Sequence, residues 1–244
     1  MLLGSAAFRG NDLKRTFAVL AVTGLLFLSH SLQNAARAES ENLAAPKGLI
    51  PCASNDPVNA SGPRIAASVN GQFLSCFQSE EKTDVLGAPD VAPVPVEYAF
   101  AISLASEVYT TTDLDKLLTT VTAQWKGFQP LSTEFHDNYI ARINALINSG
   151  HETPVAIASI KPVLISIDRL DVNSYSVVSI RSYVFNVNGT QVSMTKVNAD
   201  AVVLRGRRFI RLTMQRMLTN ASDVTRLQTE ISEWARATES AKSE

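Results

Sequence analysis

The chain has 244 residues, 45% of them apolar and 18% charged, with a formal charge of −1. These are the figures of an ordinary globular chain with a full hydrophobic core, one medium domain or one domain with an appendage. They exclude a nucleic-acid binder that works by global charge.

The first 38 residues read as a secretory signal peptide. Arg9, Lys14 and Arg15 precede an apolar run over 17–28 (FAVLAVTGLLFL), and Ala36-Arg37-Ala38 supplies an A-x-A cleavage site before Glu39. The run is short of the ~20 residues that a spanning helix needs. No transmembrane segment is therefore expected after cleavage, an uncleaved anchor being the alternative. Removing 1–38 leaves 18 basic and 22 acidic residues, a formal charge of −4. The expected location is the periplasm or the extracellular space. In an oxidising compartment Cys52 and Cys76 are expected to form a structural disulfide.

Residues 39–87 form an N-terminal extension. Within it, Asn70-Gly71 sits between two strand-like runs over 64–77 and predicts a β-hairpin, since Asn-Gly favours the type I′ turn. Pro89, Pro93 and Pro95 make 88–95 a stiff linker. The main domain is expected over 96–240. It opens on a strand with Val96, Tyr98, Phe100, Ile102 and Leu104 on one face. A helix capped by Thr112 follows, with Leu114, Leu117, Leu118, Val121 and Trp125 on one stripe. A second helix over 130–147 carries Phe135, Tyr139, Ile140, Ile143, Leu146 and Ile147, completing an αα pair.

Alternation returns over 155–170, with Val163, Ile165 and Ile167 on one face, and Pro162 either assigns this strand to an edge or breaks it at Lys161-Pro162. Residues 175–217 then read as a three-strand meander turning at Asn188-Gly189 and at Arg205-Gly206-Arg207. A last helix, capped by Asn220 or Ser222, carries Val224, Leu227, Ile231, Trp234 and Ala235 against the sheet. The predicted fold class is α+β: an antiparallel sheet with a three-strand meander, an αα pair, a C-terminal helix on the sheet and a disulfide-pinned N-terminal hairpin. A meander closed by a helix whose tryptophan packs back on the sheet resembles PsbP-like exported domains. The resemblance covers about residues 96–240 and implies a binding or assembly factor without catalysis.

Chemical signatures are sparse. There is no G-x-S-x-G elbow and no phosphate-binding glycine loop. His136, flanked by Glu134 and Asp137, lacks the i, i+4 spacing of a helical metal site, and His151 follows the helix-ending Gly150. No catalytic residue, metal or cofactor is assigned. An envelope hydrolase using Asp168, Asp171 or His136 as acid–base groups is the alternative. The remaining feature is cationic: Arg205, Arg207, Arg208, Arg211 and Arg216 fall close together in a chain of negative charge. Parity sets Ile210, Leu212 and Met214 inward. It puts Arg207, Phe209 and Arg211 outward, beside Arg181, Tyr183 and Phe185 of the first meander strand. That outer arginine–aromatic face is the expected binding site, for an envelope protein or a small anionic ligand. The expected function is a non-catalytic binding or assembly module.

Overall fold

A computed structural model describes residues 43–54, 56–68, 71–83, 94–104, 109–126, 141, 155–187 and 190–241. The expected leader, the linker up to residue 93, the expected second helix apart from residue 141, His136, His151 and the Asn188-Gly189 turn lie outside the described residues.

In chain order the elements are β1 (Ile50–Pro51), α1 (Pro57–Ser68), β2 (Gly71–Gln78), β3 (Lys82–Thr83), β4 (Val94–Pro95), β5 (Glu97–Leu104), α2 (Thr111–Lys126), β6 (Val155–Asp171), β7 (Ser174–Val187), β8 (Thr190–Arg205), β9 (Arg208–Met217) and α3 (Ser222–Ser240). Seven strands make one antiparallel sheet in the order β1-β2-β5-β9-β8-β7-β6, and β3 pairs with β4 separately. The chain is thus an α+β protein of the expected class. β7, β8 and β9 form the meander, Gly206 takes positive φ (61°) at its second turn, and β6 is an edge strand.

Strand parity builds two faces. On one, Ala99, Ala101, Ala199 and Ala201 form a low floor flanked by Val197, Val203, Ile210, Leu212 and Met214. Small side chains there let α3 approach closely and bury Leu227, Ile231, Trp234 and Ala235. Trp234 meets Phe77 edge-on, centroids 6.0 Å apart, and its Nε1–H donates to the Ala44 carbonyl at 2.9 Å. Leu43 and Leu49 pack on this core too, so the N-terminal segment is bound to α3.

On the other face, Leu114, Val121 and Trp125 of α2 pack on Tyr175, Val177, Val202, Leu204 and Phe209. Thr110 caps α2 instead of the expected Thr112. Its backbone N–H donates to the Asp113 carboxylate at 3.0 Å while its Oγ1 accepts from the Asp113 N–H. The α1 helix covers the same face beside β2 and β5, through Ile65 and Ala66 against Phe73, Phe100 and Ile102.

Two expectations are corrected here. Residues 64–68 are helical, not a hairpin arm, and β2 pairs with β1 and β5 instead. The Gly62-Pro63 step looks like a break, yet Gly62 is where the Phe73 ring lies: a Cβ built there would sit 2.3 Å from it. The second correction is on β6. A bulge between Leu164 and Ser166 reverses parity, so Val163 and Ile165 stand 58% and 43% exposed while Ile167 packs under α2. Strand β2, before the proline-rich stretch, and β5, after it, are neighbours in one sheet.

Cys52 and Cys76 are bonded across β1–β2, with Cα atoms 5.4 Å apart and 24 positions apart in sequence. Closing that loop contributes about 3 kcal/mol. A Cys52→Ser/Cys76→Ser double variant should lose that amount in urea unfolding at pH 7. An unchanged midpoint would show that β1 needs no bond to hold it.

Candidate functional site

The expected site residues fall into three groups. Arg181 and Arg211 converge, as parity predicts. Arg211 donates through Nη2 (2.7 Å) and Nε (3.2 Å) to Asp200 Oδ1, and Arg181 Nη2 reaches Asp200 Oδ2 at 3.4 Å. Thr213 Oγ1 donates to the same Oδ1 at 2.6 Å. Phe209 does not join them. It stacks on Tyr109, ring centroids 4.1 Å apart, within the α2 core. Arg207 stays on the exposed turn, where its carbonyl accepts the Tyr109 N–H at 3.0 Å, and Tyr183 is half-buried. The side chain of Phe185 lies outside the described residues.

The face is therefore not an open outer surface, as the alternation alone suggested. Phe209, Arg211 and Arg181 are 3%, 7% and 8% exposed. Helices cover both sides of this sheet, so parity separates two interiors rather than an inside from an outside.

What lies between the arginines is a buried polar strip. Register places three cross-strand rows in succession on this face of β7 and β8: Val177 with Asp200, Ser179 with Asn198, and Arg181 with Lys196. β9 adds Thr213 opposite Asp200 and Gln215 opposite Asn198. Ser179 and Asn198 are fully buried, yet Ser179 Oγ and Asn198 Oδ1 have no hydrogen-bond partner among the described residues; nor has Tyr175 Oη at the other end of the strip. Buried polar groups are nearly always satisfied, so a row of open ones calls for a cause. Burial pushes the Tyr175 phenol up, with the Arg211 charge opposing. Burial also pushes the Lys196 ammonium down to about 8. The Lys196 ammonium makes no ion pair or hydrogen bond among the described residues, although the Lys196 carbonyl accepts from Asn198 Nδ2 at 3.5 Å.

A second network belongs to the opposite face. Arg216 bridges Glu97 (2.7 Å) and Asp223 (2.9 Å), joining β9 to β5 and to the first turn of α3. Burial, then Glu230, raise Glu97. Burial would raise Asp223 too, but hydrogen bonds from Thr219, Asn220 and Arg216 hold it well below the usual carboxylate range. This network fastens a helix.

The acid–base candidates are engaged locally. Asp168 accepts from Gln228 Nε2 at 3.0 Å. Asp171 Oδ1 accepts the Asn173 N–H at 2.7 Å, closing the β6–β7 turn. Donor atoms of Cys52, Asp56 and Cys76 lie within 4.8 Å of one another, but the two sulfurs are bonded together and are not thiolate ligands.

Asp200, Lys196, Ser179 and Asn198 were not singled out from sequence. The even parity of β8, counted across the Asn188-Gly189 turn, would have placed Lys196, Asn198 and Asp200 beside Arg181. No protein-family model matches the chain, and no curated protein matches it. Among the described residues no helix is long and apolar enough to cross a membrane.

Proposed function

We propose that the chain is an exported, non-catalytic binding or assembly module of the bacterial envelope, in the periplasm or outside the cell. Its working surface is the polar strip on β7–β9, and it takes an anionic group carried by a small ligand or a partner protein. The observation that carries this reading is Lys196. A half-buried ammonium directly opposite Arg181 has no counter-charge among the described residues, and buried polar atoms stand open beside it. Like charges facing each other across a ladder are destabilising, which suits a position reserved for an incoming anion. The predicted leader supports export, and the bonded cysteines fit an oxidising compartment.

The test uses the full chain in cells, with a photo-crosslinking residue at Met194, half-buried near Lys196, or at Thr229 on the exposed face of α3. The expected results are a mature N-terminus at Glu39 in the envelope or medium, and a discrete adduct at 194 but not at 229. Cytoplasmic retention would overturn the export part. Equal adducts at both positions, or none at 194, would overturn a partner protein at this surface.

A further inference from the structure

The strip is graded from end to end. Asn198 and Ser179 are 0% and 1% exposed, whereas Lys196, Tyr183, Met194 and Met217 are half-buried. The fully buried polar atoms therefore form a floor, and the Lys196 row forms the side nearest to water. Asp200 lies four residues along β8 from Lys196, roughly 13 Å of strand, and Arg211 and Thr213 engage one of its oxygens. It makes no ion pair with Lys196, and it is the one carboxylate on this face of β5–β9 among the described residues.

We propose that Lys196, Arg181, Ser179 and Asn198 form a subsite for the oxoanion end of a ligand, a carboxylate or a phosphate group, entering on the Tyr183–Met194 side. This rests on the binding reading above and gives it a ligand class. The donor set suits the task. An ammonium brings three N–H donors, a serine one rotatable O–H, and the guanidinium a planar fork. As placed, Asn198 Nδ2 donates to the Lys196 carbonyl at 3.5 Å and its oxygen is open; turning the amide exchanges that long contact for N–H donors directed at the anion. All four lie in two adjacent cross-strand rows, a span that one oxoanion bridges. An oxoanion would also neutralise the Arg181–Lys196 repulsion, and an ammonium already penalised by burial gains most from it.

The experiment follows the Lys196 side-chain signals and the backbone amide signals of Ser179 and Asn198 by NMR in the labelled full chain while inorganic phosphate, acetate or chloride is added, the amides being the reporters in the variants. Phosphate or acetate should produce a saturable shift at millimolar concentration or below, and chloride at equal ionic strength should not. The Lys196 titration should move up from about 8 in the saturated state. Of phosphate and acetate, the one that saturates first names the source of the group. Lys196→Met should weaken the response at least tenfold, as expected for losing a charge-assisted contact, whereas Lys161→Met, at an exposed position, should leave it unchanged. No saturable shift with either anion, or a response that survives in Lys196→Met, would overturn the subsite. Should Lys196→Met fail to fold, the wild-type titration decides alone. A Met194 adduct with no anion response would keep the binding surface and remove this subsite. An anion response with no adduct would keep the subsite and overturn a partner protein as the carrier of the group.

Discussion

Replacing Arg216 with alanine should destabilise the protein by about 3–5 kcal/mol at pH 7, measured by urea unfolding followed at the tryptophans. The size follows from what the guanidinium leaves behind. Glu97 is 1% exposed and Asp223 4% exposed, and Arg216 lies between them at 2.7 and 2.9 Å. Arg226 reaches Glu97 only at 3.8 Å from a half-exposed position, so it cannot replace Arg216. Removing one partner of a buried ion pair costs far more than the pair itself contributes, because the remaining charges keep their desolvation penalty. Arg216→Lys should recover less than half of the loss, since one ammonium cannot reproduce a fork that meets two carboxylates from two sides. Equal stability of Arg216→Ala and wild type would mean that water reaches this site.

The same network has a pH signature. Asp223 lies below its usual 3.8 in the fold, so its contribution is complete above that value and is lost as pH falls through its folded value. Glu97 lies above its usual 4.5 and works in the opposite sense. Its ionised form is penalised at pH above its folded value, and that penalty is gone below 4.5. Once both carboxyls are protonated Arg216 has no charge to meet. The cost of Arg216→Ala should therefore shrink in two stages as pH falls, first through the folded value of Glu97, above 4.5, and then through that of Asp223, well below 3.8.

Much of this architecture follows from local pattern, and the exceptions have identifiable causes. Period-2 alternation located β5 and the meander, and the i, i+3, i+4 stripe located α2 and α3, because each element must bury one face. The pattern failed where tertiary packing overrode it. At Gly62 a ring from β2 sits against the helix backbone, which no local rule anticipates. At 164–166 a single bulge reverses the side-chain alternation of an edge strand. The arginine face was legible as a set, since Arg181 and Arg211 do meet. Its burial was not, because parity says which residues share a face and is silent on what covers it. Asp200 is the clearest case: an acid within an otherwise apolar strand run (ADAVV) is the mark of a buried ion pair, and its partners were already in hand.

Asp200→Ala should cost about 3–5 kcal/mol, and Asp200→Asn less, about 1.5–3 kcal/mol, because the amide oxygen still accepts from Arg211 and Thr213. Replacing Arg181 and Arg211 with methionine together with Asp200→Leu should restore most of the loss, since an apolar set of similar volume removes the desolvation penalty of all three groups. A structural ion pair predicts nothing further. The oxoanion subsite adds a second effect of opposite sign. At 3.4 Å the Asp200 carboxylate holds Arg181 weakly and competes with the incoming anion for its guanidinium. Asp200→Asn should therefore bind phosphate or acetate several-fold more tightly than wild type while unfolding at lower urea. The methionine–leucine variant should be stable and not respond to either anion. A variant whose affinity falls in step with its stability would reduce Asp200 to a structural residue. Opposite changes in the same Asp200→Asn protein would show that the carboxylate occupies part of the space its ligand needs.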